Sequence, residues 1–201
     1  MTGELKRSVC EILPYAAWMV LMVLLPSTAT AYAVRTAVVF ALLVPCLVFL
    51  ARQESFRAYF RPSFRGVLWG VAVGLLVLVI WVAPENLSVY RTWCIFGEGG
   101  TDEIDASSAL LKSVRLFGSA CVISVAEELF FRKWLVRFAG FVWMVALFAL
   151  EHDRWLVGAI AGILYGILML RKGLLAAITA HFTTNLALGF YVLQTGAWRF
   201  W

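Results

Sequence analysis

Long apolar runs are the feature that most constrains the fold of this chain. A helix that crosses a bilayer needs about 20 mostly apolar residues. The chain is 63% hydrophobic and only 14% charged, whereas a soluble domain is roughly 45–50% apolar and about 25% charged. The sequence therefore predicts an all-α, polytopic transmembrane helical bundle of about seven spans. The runs are Ile12–Leu25, Ala31–Leu50, Gly66–Ala83, Ser107–Phe131, Phe138–Leu150, Trp155–Leu170 and Leu174–Leu193.

These runs leave little chain for a separate soluble domain. We expect one integral membrane domain over residues 1–201, with N-terminal helices and an outer loop in 1–105 and a functional core in 106–195. The Ala29-Thr30-Ala31 triplet resembles a signal-peptidase site. Cleavage there is the less favoured alternative, because the remaining chain is itself polytopic and needs a first span. Phe138–Leu150 is the weakest predicted span because it is short for a full crossing.

Charge between the runs predicts the orientation in the membrane. The basic segments fall on one side, which the positive-inside rule makes cytoplasmic, and the acidic segment 84–105 falls on the other. The N-terminus is then cytoplasmic and the C-terminus outside. The basic segments are Lys6/Arg7, Arg52–Arg65, Arg132–Arg137 and Arg171/Lys172. The expected partner is the lipid bilayer and not nucleic acid, which would need a basic, aromatic soluble surface.

A small set of polar side chains lies in or directly beside the later apolar runs. They are Glu127, Glu128, His152, His181 and Asn185, and they include both histidines of the chain. At ~1.5 Å per residue from the nearest cytoplasmic segment, Glu127 lies ~10–15 Å deep, His152 ~18 Å and His181 ~13 Å. Burying a charged group at the bilayer centre costs at least ~2.5–3.5 kcal/mol. We therefore expect these groups to have partners or a chemical role.

Two kinds of chemistry would use this set. A carboxylate and an imidazole can deprotonate a water, while a second imidazole and an amide stabilise the resulting oxyanion. Alternatively, Glu127, His152 and His181 are a plausible zinc ligand set, although the chain has no HExxH motif. Both alternatives lead to hydrolysis of an amide or ester within the membrane.

Three short motifs in the last hundred residues resemble a known family. They are Glu127-Glu128-x-x-x-Arg132, Phe148-x-x-x-His152 and His181-x-x-x-Asn185. In this order and in apolar helices, they are similar to the EExxxR, FxxxH and HxxxN motifs of the CAAX-protease and bacteriocin-processing (CPBP, Abi) intramembrane peptidases. The resemblance covers about Leu116–Leu193, which would form a four-helix catalytic core. Residues 1–105 carry no motif of this family.

The resemblance implies roles for individual residues. Glu127 would activate the water with help from His152, and His181 and Asn185 would hold the oxyanion. Glu128, Arg132 and Phe148 would have supporting roles. We favour the glutamic-peptidase mechanism without a cofactor, and keep zinc held by Glu127, His152 and His181 as the alternative.

The resemblance also suggests a setting for the activity. Compact bacterial members that act on C-terminal sorting signals (PEP-CTERM-associated and myxosortase-like groups) are the most similar in character. The expected partner is thus a protein substrate with a C-terminal membrane-associated tail. The expected location is the bacterial inner membrane.

Other interpretations of the same residues remain open. Glu128 and Arg132 are i,i+4 neighbours, so a plain intrahelical ion pair would account for both. A non-catalytic binding protein of the Abi immunity type would need no active water. A small transporter could relay protons through acids at the midplane, but its usual inverted repeats are not found in the sequence.

Overall fold

Six long apolar helical segments build the molecule. The computed structural model describes residues 3–95 and 108–200, and in this part of the chain it contains helices and no strands. All six segments are long and apolar enough to cross a membrane. The helices are α1 (Gly3–Leu24), α2 (Ala29–Ala51), α3 (Glu54–Phe60), α4 (Phe64–Val82), α5 (Ser88–Cys94), α6 (109–135), α7 (Val136–Leu150), α8 (Trp155–Lys172) and α9 (Leu174–Thr195). The expected polytopic bundle is confirmed.

Side-chain caps fix where several helices begin. The hydroxyls of Thr28, Ser63 and Ser108 accept hydrogen bonds from main-chain N–H groups three residues further on. Each bond satisfies one of the N–H groups that the first turn of a helix leaves without a partner. The helix starts therefore follow from local sequence rather than from hydropathy.

Helix α6 differs from the others because it alternates between two helical forms. It is α-helical over Ala109–Phe117, π-helical over Gly118–Ile123, α-helical over Ser124–Glu127 and π-helical over Glu128–Leu135. π-Helical turns are rare in proteins, and a large share of those that occur lie at functional sites. They rotate the side chains that follow relative to those of a regular helix.

The structure corrects the predicted break at Arg132–Arg137. Residues 132–137 are helical, and the helix is instead interrupted at Gly140, whose φ of +84° and ψ of 173° are not helical. Because the two helices meet directly at this kink, Ala109–Leu150 counts as one apolar segment of 42 residues. Six candidate spans therefore stand where about seven were expected. Buried Arg132 and Lys133 do not end the helix.

The N-terminal helices pack around α6. Helix α1 lies against α2 and against the second half of α6. Tyr15 of α1 stacks on Phe130 at 4.4 Å between ring centres and meets Phe131 edge to face at 5.2 Å. Helix α1 also begins earlier than predicted, at Gly3. Its buried Glu11 pairs with Arg137 of α7 at 2.9 Å, so the polar first turns are part of the fold.

In the described part of the chain, the contact between helices α4 and α9 is the most extensive one between two elements. A Cβ atom added at Gly70 would lie 2.7 Å from the carbonyl oxygen of Ala176, and one at Gly74 would lie 2.5 Å from that of Ala180. Small residues at this spacing let two membrane helices approach until their backbones touch. This contact fixes the position of α9.

The start of α9 is held by the end of α3. Gly173, the residue before α9, has φ +96°, and a Cβ atom there would lie 2.5 Å from the Cβ of Arg61. The carbonyl oxygens of Tyr59 and Phe60 would lie at 3.0 Å. Only glycine fits both this backbone conformation and this space.

The predicted sidedness stays a prediction. Four of the five acidic residues of the expected outer loop, Glu98, Asp102, Glu103 and Asp105, lie outside the described residues. The fifth, Glu85, is described and is buried in a short 3-10 turn, Ala83–Asn86.

Candidate active site

Glu128 has two partners in the interior of the bundle. Its side chain is fully buried, and Oε1 lies 2.9 Å from Nδ1 of His181 and 3.2 Å from Nη1 of Arg132. The predicted i,i+4 ion pair is therefore present. The bond to His181, 53 positions away along the chain, was not predicted from the sequence.

His181 is oriented by that bond. A carboxylate oxygen accepts hydrogen bonds, so Nδ1 of His181 carries the proton of this bond and donates it. The other ring nitrogen, Nε2, lies 3.7 Å from Oε2 of Glu127. The ring also stacks on Tyr165 at 5.2 Å between centres and 27° between planes.

Glu127 faces the same region, and one of its carboxylate oxygens has no hydrogen-bond partner there. Its side chain is buried, and Oε2 has no hydrogen-bond partner in the described part of the chain. The 3.7 Å separation from His181 is too long for a direct hydrogen bond. Native proteins rarely leave a buried polar atom unsatisfied, so such an atom needs an explanation such as a water or a catalytic role.

His152 lies in the turn between α7 and α8. Its Nδ1 lies 2.7 Å from the carbonyl oxygen of Phe148. A carbonyl only accepts, so Nδ1 carries the proton and Nε2 keeps its lone pair. The ring packs between Trp81 and Phe148, at 5.4 and 4.6 Å between centres. Burial is the main cause that lowers the pKa of His152 to about 4, so the ring is neutral at pH 7.

Asn185 follows His181 by one turn of α9. Its Nδ2 donates to the carbonyl oxygen of Ser119 at 2.9 Å. Ser119 lies in the π-helical stretch Gly118–Ile123 of α6. The bond ties α9 to α6, and because an amide nitrogen has two hydrogens, one N–H stays available to a substrate.

Arg132 and Phe148 support the two motif helices. Arg132 is completely buried, and its guanidinium carbon lies 3.9 Å from the centre of the Phe148 ring. Cation–π contacts of this kind can contribute ~2 kcal/mol or more when desolvated. Phe148 thus covers the cation with its ring and holds His152 with its carbonyl.

One cavity of about 200 Å³ connects the predicted residues. A water takes about 30 Å³ of liquid volume, so several waters fit. Glu127, His152, His181 and Asn185 all line it. The structure therefore brings together the four residues that were predicted as catalytic, whereas Glu128, Arg132 and Phe148 stand behind or beside them.

Sequence reasoning missed part of the wall of this cavity. The missed lining residues include Tyr32, Trp81, Arg115, Tyr165 and Phe200. Three of them precede the motif region Leu116–Leu193 and one follows it, and no motif marks any of the five. The hydroxyl of Tyr165 donates to Thr184 at 2.7 Å, and Thr184 donates to the carbonyl of Gly74 at 2.8 Å. The glycine spacing Gly66-x3-Gly70-x3-Gly74 was the available signal that α4 belongs to the site.

The zinc alternative names Glu127, His152 and His181 as ligands. All three line the cavity. Among the described residues, no group of three or more His, Cys, Asp or Glu side chains is arranged so that it could hold a metal ion. The choice between a metal and a water held by the protein alone stays a prediction.

The fold and the site define a class of protein: a polytopic helical membrane protein with a buried carboxylate–imidazole site. Residues 109–187 match the family model described as type II CAAX prenyl endopeptidase Rce1-like. This match confirms the resemblance to the CPBP peptidases, and it contains all seven predicted site residues. The apolar helices and the match indicate an integral membrane protein, and the match indicates a CAAX-type endopeptidase. No curated protein and no solved structure matches the chain.

Proposed function

We propose that this protein is an intramembrane endopeptidase that hydrolyses a peptide bond near a C-terminal, membrane-associated segment of a substrate protein. The observation that carries the proposal is the single cavity lined by Glu127, His152, His181 and Asn185. The unpartnered Oε2 of Glu127 adds to it, because a carboxylate oxygen of this kind can accept a proton from a bound water.

In this mechanism, water is the nucleophile and Glu127 is its base. The lone pair on Nε2 of His152 accepts a hydrogen bond from the water and orients it. Glu127 takes one proton as the water oxygen bonds to the scissile carbonyl carbon. The C–N bond then breaks, and Glu127 returns the proton to the leaving amine, which leaves a carboxylic acid and an amine as products.

The oxyanion is held by His181 and Asn185. Because Nδ1–H of His181 is bonded to Glu128, the ring can donate from Nε2 only when it also carries a proton there. In this mechanism the ring takes up that second proton from solvent when the substrate binds and releases it when the products leave. Glu128 stabilises that imidazolium, as the acid does in a Ser-His-Asp triad. The second N–H of Asn185 completes the pair of donors. Nη1 of Arg132 lies 3.2 Å from Oε1 of Glu128, and Arg132 itself does not line the cavity.

The substrate class rests on the family match and the surroundings of the site. A cavity within apolar helices suits a scissile bond next to a membrane-embedded tail. We extend this to bacterial proteins with C-terminal sorting tails, cut in the inner membrane. The proposal requires no cofactor.

Glu127→Gln and His181→Ala test the proposal. We expect each variant to lose at least about 10²-fold in turnover, the usual contribution of a positioned acid or base. Turnover is measured on fluorogenic peptides with apolar C-terminal segments in detergent micelles, and size-exclusion profiles check folding. Wild-type turnover in both variants would refute a peptidase.

The same variants separate the alternatives. An immunity protein that acts by binding would keep its effect with Glu127→Gln. Stoichiometric zinc in the purified protein that is lost with His152→Ala would replace the water mechanism above with a metal one.

A further inference from the structure

Residues 197–200, which we name the strap, fold back onto the cavity. Helix α9 ends at Thr195, Gly196 has φ +68°, and Trp198–Phe200 forms a 3-10 turn. The side chain of Phe200 is buried and lines the same cavity as Glu127 and His181. A side chain from outside the motif region thus closes part of the site.

Polar contacts tie the strap to the turn that carries His152. Glu85 accepts from Nε and Nη2 of Arg154 at 3.2 and 3.0 Å and from Nε of Arg199 at 3.1 Å. Nη1 of Arg154 donates to the carbonyl of Arg199 at 3.1 Å. Arg154 is only two positions after His152, so one buried carboxylate holds both the strap and the catalytic turn.

The Phe200 ring sits in a site suited to an apolar, aromatic group. The guanidinium carbons of Arg154 and Arg199 lie 4.5 and 4.9 Å from the ring centre. Tyr191 meets the ring edge to face at 6.0 Å. Phe200 also packs in a small apolar cluster separate from the main core, formed with Leu188, Val192 and Ala197.

The cavity is too small for a peptide substrate while the strap is in place. Sites for drug-sized ligands measure about 300–1,000 Å³, against about 200 Å³ here. A peptide bond with its flanking residues needs more room, so part of the wall must move. The remaining walls come chiefly from long helices of the main bundle.

Of the parts of the cavity wall, the strap can move with the smallest loss of stabilising contacts. Nearly half of the Arg199 side chain is exposed (49%), so solvent weakens its ion pair. Gly196 provides a backbone position that tolerates a change of φ. The strap rests on its own small cluster rather than on the main core.

We propose that the Phe200 ring fills, in cis, the subsite for an apolar side chain of the substrate, and that the strap swings away when a substrate binds. This inference rests on the proposed function, because it concerns the same cavity. It names a substrate feature: an apolar, preferably aromatic, residue close to the scissile bond. The ion pair between Glu85 and Arg199 holds the strap in place and so keeps the subsite occupied.

Chemical access to the cavity tests the strap without any proteolysis. Ser119→Cys is introduced into a Glu127→Gln chain whose four native cysteines are replaced by alanine, and it is labelled with a water-soluble methanethiosulfonate. Phe200→Ala and Arg199→Gln are then compared with this parent. We expect labelling about tenfold faster, equivalent to about 1.4 kcal/mol. Arg199→Gln keeps the Arg154–Glu85 pair, so it stays informative if Phe200→Ala folds poorly.

The matched controls remove similar groups that do not touch the strap. Trp93→Ala removes an exposed aromatic side chain, and Arg91→Gln removes an exposed cation, both on α5. The inference would be overturned if Phe200→Ala and Arg199→Gln were labelled no faster than these controls. Because Glu127→Gln is present throughout, this outcome is independent of whether the protein is a peptidase.

Competition by small amides tests the subsite itself. N-acetyl-phenylalaninamide should slow the labelling of the Phe200→Ala chain, because its ring refills the vacated position. N-acetyl-alaninamide should leave the rate unchanged. Faster labelling in Phe200→Ala that neither amide slows would overturn the assignment of a substrate subsite.

Discussion

At the residue scale, the adjacent side chains of Glu127 and Glu128 occupy different environments. Oε2 of Glu127 is buried beside the cavity without a hydrogen-bond partner. Oε1 of Glu128 is bonded to His181 and paired with Arg132, while its Oε2, away from the cavity lining, has no hydrogen-bond partner among the described residues. One carboxylate is therefore free to exchange a proton with a water, while the other balances a buried cation. Their replacement by the nearly isosteric glutamine separates these two roles.

Glu128→Gln should lower stability as well as activity. Removing one partner of a buried ion pair costs about 3–5 kcal/mol, because the other charge is left uncompensated. Glu127→Gln is the matched control, and we expect it to unfold at or above the wild-type denaturant midpoint. Unfolding in detergent, followed by circular dichroism, measures both. Equal midpoints for the two variants would contradict the distinct roles.

His152 should make stability depend on pH. Burial lowers its pKa to about 4, below the value of about 6.5 in an unfolded chain. Between these values the unfolded chain binds a proton that the folded chain does not, so stability is complete above pH 6.5 and falls as the pH falls toward 4. His152→Asn should make this fall smaller. Melting temperatures from pH 4 to 8 provide the measurement, and identical slopes would show that His152 is not the group.

At this scale the sequence identified the groups but not their partners. Motif spacing led to Glu127, His152, His181 and Asn185, and all four line one cavity. The bonds from Glu128 to His181 and from Asn185 to Ser119 could not be predicted. They depend on how far α6 is rotated, and its π-helical turns change that rotation relative to a regular helix.

At the scale of elements, the contact between α4 and α9 sets the position of the helix that carries His181 and Asn185. A Cβ atom would lie 2.5 Å from a backbone oxygen at Gly74, but its nearest neighbour at Gly66 would be at 3.5 Å. The first distance is a clash and the second is ordinary contact. Thr184 of α9 also donates to the carbonyl of Gly74, which adds a polar bond to the close approach.

Gly74→Ala and Gly66→Ala form a matched pair on one helix face. Forcing an extra carbon into the packed contact at Gly74 should cost about 1–3 kcal/mol and displace His181. Gly66→Ala should be neutral or slightly stabilising, because alanine favours a helix over glycine by about 1 kcal/mol. Denaturant midpoints and peptide turnover measure the difference. Equal effects would show that the backbones are not in contact at Gly74.

Hydropathy located the helices but not all of their ends. The predicted break at Arg132–Arg137 fails because the charges there find partners: Arg132 pairs with Glu128, and Arg137 with Glu11. For the same reason α1 extends back through Glu11 to Gly3. A hydropathy profile cannot distinguish charges that are paired inside a bundle from charges exposed in a loop.

At the scale of the whole molecule, the residues that line the site extend beyond the residues that match the family model. The matched residues are 109–187, whereas Tyr32 and Trp81 line the cavity and Phe200 closes it. Tyr15 adds a stacked ring against α6. The N-terminal helices are therefore part of the functional unit, although no motif marks them.

A fragment of residues 108–200 should not fold by itself. It lacks α4, which packs on α9, and α1, which packs on α6. We expect it to elute as an aggregate from size-exclusion chromatography in a detergent that keeps the full chain monodisperse, and to be digested rapidly by trypsin. A monodisperse, protease-resistant fragment would contradict the interdependence of the two halves.

The sequence predicted the class of the molecule because its apolar excess leaves no soluble alternative. The contribution of residues 1–105 to the site was not predicted, since packing between distant helices leaves no local pattern beyond the glycine spacing. Orientation across the membrane remains a prediction from charge.

The close approach at Gly173 ties α9 to a short helix that lies outside the site. Gly173 is the residue before α9, and His181 lies eight positions further along, about 12 Å away at ~1.5 Å per residue. Helix α3 contributes no residue to the lining of the cavity. A side chain at position 173 would nevertheless collide with its C-terminal end, so we expect a substitution there to displace the helix that carries the imidazole.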